Sequence, residues 1–258
     1  MDSLSKKVLI TGIGGFTGTY LAQHFSSSGY EVFGIGNAEY PSAKNYFCCD
    51  LREKNHLEEI ISEIQPNIVI HLAAISFVGH PNIEDFYSIN VVGTQNLLDA
   101  LKKHSTNIQK VILASSATVY GNQEEYELLS ENQCPNPNNH YGISKLAMEQ
   151  IAKTYFEALP IIITRPFNYT APGQHINFVI PKITNAFKQK QNTVELGNTN
   201  VFREYNSIDF ITDCYYKLAT GNHRSEIVNL CSGETHSLEE VLNLCSEISN
   251  HTLKVEVN

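Results

Sequence analysis

The sequence predicts an α/β protein with a doubly wound parallel sheet, and two observations lead to that prediction. Short, almost wholly apolar runs at residues 8–10, 68–72 and 161–164 alternate with helix-length segments through the first two thirds of the chain. These runs lack the apolar–polar alternation of a strand with one wet face, so we expect helices on both faces of the sheet. Right-handed crossovers between successive parallel strands then produce the doubly wound arrangement.

The expected elements follow a regular order as far as residue 165. Strands are expected at 8–10, 31–35, 68–72, 111–114 and 161–164, and helices at 17–28, 57–64, 83–104 and 141–159. Farther along, helices are expected at 179–189, 208–220 and 237–248, and strands at 193–196, 226–230 and 253–258. The pattern predicts a main domain over 1–165 with returns near 206–232, and a small interleaved C-terminal lobe over 166–205 and 233–258. The chain ends on a strand-like segment, which is consistent with truncation.

Composition narrows the range of partners. The 258 residues are 42% hydrophobic and 17% charged, with a net charge of -9, which is ordinary for a globular protein. An acidic chain has no general attraction for a phosphate backbone, so we expect no nucleic-acid partner. No signal peptide or long apolar run is present, so we expect a cytoplasmic protein without membrane contact and with reduced cysteines. The histidines are scattered without ligand spacing, and we expect no metal site.

A glycine-rich turn joins the first expected strand to the first expected helix. Residues 11–18 read TGIGGFTG, so Gly12, Gly15 and Gly18 stand three apart. The first glycine permits a tight turn, the second lets backbone approach a pyrophosphate, and the third lets the helix pack closely on the strand. Because a helix N-terminus offers N–H groups to an anion, the turn predicts a dinucleotide site that includes Phe16 and Thr17.

The end of the second expected strand bears on the choice of dinucleotide. An NAD site usually has Asp or Glu there to bind the ribose hydroxyls. This chain has GIGN at residues 34–37, with Asn37 and no acid at the end of the strand. Since no carboxylate would repel a 2′-phosphate, NADP is slightly favoured over NAD, and both remain open.

Two further features predict proton-transfer chemistry. Tyr141 and Lys145 are four residues apart at the start of an expected helix, so both side chains lie on one face. An ammonium near a phenol stabilises the phenolate and lowers the tyrosine pKa towards neutrality. Ser116 follows the buried strand at 111–114 in a run of hydroxyl side chains.

Together these features resemble the extended short-chain dehydrogenases/reductases, also described as the NAD-dependent epimerase/dehydratase family. The likeness rests on TGxxGFxG at 11–18, the strand-end Ser116 and YxxxK at 141–145, and it extends over essentially the whole chain. It implies a Rossmann-like fold, an NAD(P) cofactor and a homodimer formed by helices near 84–104 and 141–158.

The resemblance also assigns contacts to individual residues. Asp50 matches a position that meets the adenine, and residues 71–74 match a loop that lies along the cofactor. Cofactor contacts are expected from Gly12, Gly15, Phe16, Thr17, Gly18, Asn37, Asp50, Leu51, Leu72, Ala73, Ala74, Asn90, Tyr141, Lys145 and Pro166. Substrate contacts are expected from Ser76, Phe77, Val78, Ser116, Ala117, Asn168, Phe178, Val179, Lys182, Arg203 and Asp209. Many of the latter fall in the small lobe, which is therefore expected to bind substrate.

Three segments resemble enzymes that act on nucleotide-activated 6-deoxyhexoses. Residues 73–79 resemble an AAxSFV loop, and residues 165–174 resemble the RPFNxxGPGQ segment of GDP-4-keto-6-deoxymannose reductases. Residues 203–209 resemble RDFxxVxD, whose arginine grips the sugar-nucleotide diphosphate. On an acidic protein a diphosphate needs local cations and donors, for which Arg203, Lys182 and the Asn168 amide are candidates.

These likenesses favour ketone reduction. We expect an NAD(P)H-dependent reductase of a nucleotide-linked 4-keto-6-deoxyhexose, either a GDP- or a dTDP-sugar. Tyr141 would donate the proton, Lys145 would lower the tyrosine pKa and hold the nicotinamide ribose, and Ser116 would orient the carbonyl.

Three other functions compare differently with this sequence. Dehydratases of the family carry Glu at the position of Thr118, often with Asp at the position of Ala117, so elimination is disfavoured here. A nucleotide-sugar 4-epimerase that retains NAD remains open, because its Ser-Ala-Thr-Val-Tyr-Gly segment is the same as residues 116–121. A non-catalytic dinucleotide-binding sensor is the third alternative, and the intact serine, tyrosine and lysine argue against it.

Overall fold

Contacts between residues divide the chain into two compact units. The computed structural model describes residues 6–39, 45–122, 128–197, 199 and 201–257. Unit 1 consists of Met1–Pro166 and Ile211–Leu230, and unit 2 of Phe167–Phe210 and Cys231–Asn258. The chain therefore leaves unit 1, enters unit 2, returns, and enters unit 2 again.

The helices and strands are numbered in chain order. They are β1 Lys7–Thr11, α1 Phe16–Ser27, β2 Glu31–Gly36, β3 Tyr46–Cys48, α2 Lys54–Ile64, β4 Ile68–His71, α3 Ile83–Tyr87, α4 Thr94–His104, β5 Lys110–Ala114, α5 His140–Lys153, β6 Ile161–Pro166, β7 Tyr169–Thr170, α6 Val179–Lys188, β8 Thr193–Leu196, β9 Phe202–Arg203, β10 Asn206–Ser207, α7 Ile208–Thr220, β11 Glu226–Leu230, β12 His236–Ser237, α8 Leu238–Ser249 and β13 Lys254–Val257. A π-helical turn, Ser88–Gly93, joins α3 to α4, and a 3₁₀ turn, Ala117–Tyr120, follows β5.

Seven parallel strands form the sheet of unit 1, in the order β11-β6-β5-β4-β1-β2-β3. The strand order reverses between β1 and β4, which is the place where doubly wound sheets open a crevice for a ligand. The predicted Rossmann-like fold class is confirmed. The strand expected at 226–230 is present as β11 and forms one edge, next to β6.

Apolar stripes on the helices hold unit 1 together. On one face of the sheet, α2 contributes Leu57, Ile61 and Ile64 at helical spacing, and all three are almost completely buried. On the other face Phe25 of α1 packs against Tyr216 of α7, with ring centroids 5.4 Å apart. Burying one leucine or isoleucine contributes roughly 1.5–3 kcal/mol, so this packing holds the ends of β1, β4 and β5 in place.

Two predicted helices are wrong in detail. The expected helix at 83–104 is interrupted by the π-helical turn, in which Asn90 is buried and its carbonyl oxygen accepts a hydrogen bond from Thr94 Oγ1. The expected helix at 141–159 ends at Lys153. Residues 154–158 instead form tight turns, in which the Tyr155 nitrogen donates to the Ala152 oxygen and the Ala158 nitrogen to the Tyr155 oxygen.

Unit 2 has its own small core. α6 buries Ile183, Ala186 and Phe187, and β8 alternates buried Val194 and Leu196 with exposed neighbours. β8 pairs in parallel with β13, β9 pairs antiparallel with β12, and β10 pairs in parallel with β7. The two-residue strands were not predicted, since so short a segment carries no periodicity. No described helix in either unit has the length and apolarity needed to cross a membrane.

Candidate active site

The glycine turn lies between β1 and α1 with the geometry that the sequence predicts. Gly12 has φ +71°, and a Cβ there would lie 2.9 Å from the Ala73 nitrogen. A Cβ at Gly18 would lie 2.3 Å from the Gly12 oxygen. The residue that precedes α1, Gly15, provides no side-chain cap. An uncapped helix N-terminus beside glycines fits the pyrophosphate of a dinucleotide.

A chain of buried hydrogen bonds joins the end of β1, where this turn begins, to β4 and α4. Thr11 Oγ1 lies 2.7 Å from His71 Nδ1, and His71 Nε2 lies 2.8 Å from Thr94 Oγ1. Thr94 Oγ1 donates to the Asn90 oxygen at 2.7 Å, and the Ala73 nitrogen donates to Thr11 Oγ1 at 3.2 Å. These bonds are all satisfied by a neutral ring with its proton on Nε2. Burial and the nearby charge of Lys145 lower the pKa of His71 to about 3, so the ring stays neutral.

Asn90 joins the loop after β4 to the start of α5. Its Oδ1 accepts from the Ile75 nitrogen at 2.8 Å, and its Nδ2 donates to the Ile75 oxygen at 3.1 Å and to Ser144 Oγ at 3.0 Å. Ser144 Oγ in turn donates to the Tyr141 oxygen at 2.8 Å. The Asn90 amide thus links the loop at Ile75 to the first turn of α5, which contains Tyr141. The expected contact of Asn90 with the cofactor stays a prediction.

Tyr141 and Lys145 lie on the first two turns of α5. Asn139 caps this helix by accepting from the Gly142 nitrogen at 2.9 Å. Lys145 Nζ lies 6.0 Å from the centroid of the Tyr141 ring and donates to the Ala114 oxygen at 2.7 Å. The lysine is only 4% exposed. Burial lowers its pKa to about 8, while the charge of Glu149 opposes the shift.

Ser116 stands two residues beyond the carbonyl that Lys145 binds. Its Oγ accepts from the Thr118 nitrogen at 3.1 Å and lies 2.8 Å from Thr118 Oγ1. Ser116 therefore caps the 3₁₀ turn that contains Ala117. Since Lys145 is bonded to Ala114 at the end of β5, the structure brings the predicted serine, tyrosine and lysine to one region of unit 1.

The expected adenine end contains an ion pair that the sequence analysis missed. The Arg52 guanidinium binds the Asp50 carboxylate through three contacts of 2.6–3.1 Å, and these hydrogen bonds lower the pKa of Asp50. The signal was available as an arginine two residues after an aspartate. Leu51 is buried against Gly93, whereas Asn37 is exposed at the end of β2. Contacts of these residues with a cofactor stay predictions.

The expected substrate residues occur in both units. In unit 1, Phe77 and Val78 are 43% and 53% exposed on the loop after β4, next to an exposed Ser76. In unit 2, Arg203 is exposed and its Nη1 donates to the Phe202 oxygen at 2.9 Å. The other unit 2 residues lie around the helix starts: Phe178 precedes α6, Val179 and Lys182 begin it, and Asp209 is in the first turn of α7. Their contacts with a substrate stay predictions.

Glu204 is a buried carboxylate that the sequence analysis missed. It accepts from Asn206 Nδ2 at 2.8 Å and from the backbone nitrogens of Ser232 and Gly233 at 2.9 and 3.1 Å. It therefore fastens the strand that follows Arg203 to the loop before β12. A glutamate between an arginine and a tyrosine carries no pattern that separates it from a surface residue.

One cluster bears on the expectation of no metal site. Ligand atoms of Cys49, Glu53 and His56 lie within 4.8 Å of one another. Burial, together with the charges of Glu53 and Asp50, raises the pKa of the Cys49 thiol to about 11. A protonated thiol is a weak ligand, and the other two residues are exposed.

Comparison with known proteins places these features in context. The family profile of GDP-mannose 4,6 dehydratase matches residues 9–257. The chain is 35% identical to GDP-6-deoxy-D-talose 4-dehydrogenase of Aggregatibacter actinomycetemcomitans, over 98% of this chain and 83% of that protein. It is 29% identical to GDP-6-deoxy-D-mannose reductase of Pseudomonas aeruginosa, again over 98% and 83%.

Solved structures show the same likeness. The RMD protein of Pseudomonas aeruginosa in complex with NADPH superposes with a TM-score of 0.85 at 27% identity, over 98% of this chain and 85% of that one. The UDP-glucose 4-epimerase of Thermus thermophilus in complex with NAD superposes with a TM-score of 0.85 at 25% identity, over 97% and 85%. The two structures thus differ in their dinucleotide.

Replacing Gly12 with alanine should weaken dinucleotide binding by about tenfold or more, a loss of roughly 1.4 kcal/mol. The added Cβ would meet the Ala73 backbone and displace the turn. Titration calorimetry with NADH and NADPH measures the loss. Gly29→Ala is the matched control, because Gly29 has φ +84° but open space around it, so only stability should fall. Equal losses of affinity in both variants would contradict this explanation.

Proposed function

The chain belongs to the GDP-mannose 4,6-dehydratase family of extended short-chain dehydrogenases/reductases and is an NAD(P)-dependent oxidoreductase; we propose that it reduces a nucleotide-linked 4-keto-6-deoxyhexose at C4. The observation that carries this proposal is the pairing of a buried Lys145 with Tyr141 next to the β5 end that bears Ser116. This arrangement supplies a proton to a ketone oxygen. Among the residues that the structure describes there, none is a carboxylate suited to removing water.

The proton chemistry follows from the residues of α5 and β5. Ser116 Oγ can donate a hydrogen bond to the carbonyl and orient it. Tyr141 then passes its phenolic proton to the oxygen, and the Lys145 ammonium stabilises the phenolate that remains. When bound, the reduced nicotinamide supplies the hydride. Lys145 Nζ has one bond to the Ala114 oxygen, so it retains donors for a ribose hydroxyl.

The surroundings of Ser116 argue against dehydration. The 3₁₀ turn has alanine at 117 and threonine at 118, neither of which is a general base at neutral pH. The buried carboxylate on α5, Glu149, is already bound to Arg165 and Ser115. Ketone reduction needs no carboxylate to accept a proton from the substrate, so it is compatible with these residues.

We propose that the substrate is a GDP-linked sugar. The support for this proposal is the names of the two relatives from Aggregatibacter and Pseudomonas, both of which act on GDP-6-deoxysugars. A dTDP-sugar is the alternative that the sequence left open. Exposed cations in unit 2, Arg203 and Lys182, are proposed to neutralise the diphosphate, with the Asn168 amide as a donor.

An assay with a GDP-4-keto-6-deoxyhexose tests this function directly. We expect one NAD(P)H to be oxidised for each ketosugar reduced, followed as loss of nicotinamide absorbance together with chromatography of the sugar. The rival is a 4-epimerase that retains NAD, favoured by the structural likeness to the Thermus epimerase. Conversion of a nucleotide sugar to its C4 epimer without net cofactor oxidation would decide for that rival.

Replacing Tyr141 with phenylalanine should lower the rate of ketosugar reduction by about 10²–10⁴-fold and leave dinucleotide affinity unchanged, since only the proton donor is lost. Tyr155→Phe is the matched control. It removes a hydroxyl that donates to Asp99 Oδ1 at 2.6 Å, just beyond the end of the same helix, and should keep turnover. Unchanged turnover in Tyr141→Phe would contradict the role of Tyr141 as proton donor, whereas a wild-type protein that binds dinucleotide and turns over no sugar would favour the non-catalytic sensor.

We propose a preference for NADP because of the charged groups near β3, at the edge of the sheet. β3 pairs with β2 so that Cys48 lies opposite Gly36, and the chain then passes through Asp50 to the Arg52 guanidinium. A 2′-phosphate adds negative charge to the adenosine ribose. The Arg52 guanidinium is paired with Asp50 through Nε and Nη2, and its Nη1 keeps N–H donors that suit a 2′-phosphate. The end of β2 has Asn37 where an NAD site has an acid, which also supports the phosphorylated form.

Arg52→Ala should therefore raise the Michaelis constant for NADPH about threefold or more relative to NADH. Steady-state kinetics with each cofactor measures this ratio. Lys54→Ala is the control, because it removes a neighbouring exposed cation that is bound instead to Asp99 at 2.9 Å. An Arg52 variant with the same change for both cofactors would exclude a role in recognising the 2′-phosphate.

The homodimer expected from the helices near 84–104 and 141–158 stays a proposal. Its support is the exposure of two apolar side chains in these segments, Val92 at 48% and Ile143 at 40%. Apolar side chains that project from helices in this way are suited to a contact between subunits.

A further inference from the structure

We infer that Glu149, held by Arg165, is a positioning residue that acts on the reaction through Lys145. This role rests on the proposed ketone reduction, because its kinetic effect is read in that reaction. Glu149 and Arg165 form an ion pair whose side chains are 0% and 2% exposed. The sequence analysis singled out neither residue as part of the site.

The spacing along α5 aligns Glu149 with the two predicted site residues of that helix. Tyr141, Lys145 and Glu149 succeed one another at intervals of four residues, so they form a row along one face of the helix. The proton donor is at the start of the row, the ammonium is in the middle, and the carboxylate is at the end. Any movement of Glu149 along the helix axis therefore moves the other two.

Hydrogen bonds join this row to two successive residues at the end of β5. Lys145 Nζ donates to the Ala114 oxygen at 2.7 Å, and Ser115 Oγ donates to Glu149 Oε1 at 2.6 Å. The next residue is Ser116, which is proposed to orient the carbonyl. These two bonds set the distance between the tyrosine on the helix and the serine on the strand, which a reaction in a single geometry requires.

Arg165 on β6 fixes the orientation of the Glu149 carboxylate. Arg165 Nε donates to Glu149 Oε1 at 2.9 Å, and Nη2 donates to Oε2 at 2.7 Å, so the contact is bidentate. The remaining Nη1 donates to the Tyr120 hydroxyl at 2.9 Å, and that hydroxyl donates to Asn229 Oδ1 at 2.7 Å. The pair thus connects α5, β6, the 3₁₀ turn and β11.

The negative charge of Glu149 affects the pKa of Lys145. Burial lowers the pKa of Lys145 to about 8, and the negative charge of Glu149 opposes this shift. Two other titratable groups bear on the lysine directly: His71 on β4, which stays neutral because its pKa is about 3, and the phenol of Tyr141. Arg165 keeps its charge, because Glu149 and Tyr120 raise its pKa although burial opposes them. Without the carboxylate, the lysine would lose its proton more easily.

The test compares pH profiles of ketosugar reduction in Glu149→Gln and Glu149→Asp. The reduction needs a charged Lys145 and a protonated Tyr141, so its alkaline limb reports the first proton lost by this coupled pair. We expect Glu149→Gln, which removes the charge and keeps the shape, to move the limb by about one pH unit to lower pH. Glu149→Asp keeps the charge and should leave the limb in place, even if the rate falls.

A second measurement does not depend on activity. Lys145 has a lower pKa in the folded protein than the ordinary 10.5, so the free energy of unfolding rises with pH between about 8 and 10.5, where the unfolded chain binds more protons. In Glu149→Gln this rise should begin at lower pH. In a Lys145→Met background, the Glu149→Gln change should no longer alter the pH dependence.

The outcomes separate the two proposals. If the wild-type protein oxidised no cofactor with ketosugars, the proposed function would fail, while the unfolding measurement would still test the pair. If Glu149→Gln lost only stability, with an unmoved alkaline limb and an unmoved rise in unfolding free energy, the positioning role would be overturned. Glu149→Gln/Arg165→Gln leaves no buried guanidinium without its carboxylate and serves if the single variant does not fold. It should still shift the limb to lower pH, because the carboxylate is the group that acts on Lys145.

Discussion

The bond from the Lys145 ammonium to the Ala114 carbonyl is the interaction on which the rest of the site depends. A buried ammonium is costly unless it is paired, and here it ends one turn from the Tyr141 ring at the terminus of β5. The sheet brings this terminus next to the ends of β4 and β6. The bond therefore fixes the position of α5 along β5. The glycine turn, the 3₁₀ turn and the π-helical turn lie near this bond.

The polar groups beneath this bond are satisfied through chains that connect several elements. One chain runs from Thr11 through His71 and Thr94 to the backbone of Asn90, and it joins β1 and β4 to the π-helical turn. The other runs from Ser115 through Glu149 to Arg165 and joins β5, α5 and β6. Buried polar networks of this kind stabilise little beyond what an apolar core would, but they specify one arrangement of the groups they connect.

Much of the fold and part of the site follow from the sequence. The apolar runs predicted six of the seven strands of the sheet, including β11, and the spacing of Gly12, Gly15 and Gly18 predicted the turn. Tyr141 and Lys145 were expected on one helical face because four residues make about one turn. The end of α5 was wrong, because Pro160 marks only the last residue that a helix could reach and the i→i+3 bonds of residues 154–158 close it earlier.

The sequence by itself determined the alternation of strands and helices, the glycine turn and the spacing between the proposed proton donor and its lysine. Each of these rests on a local pattern: short apolar runs, glycines three residues apart, and Tyr141 four residues before Lys145. Only the tertiary structure decided what surrounds them. Glu149 meets Arg165 across 16 residues, and His71 meets Thr11 across 60. The first contact depends on how α5 packs on the sheet, and the second on the pairing of β4 with β1. No periodicity in a single sequence encodes which side chains will then share a buried site.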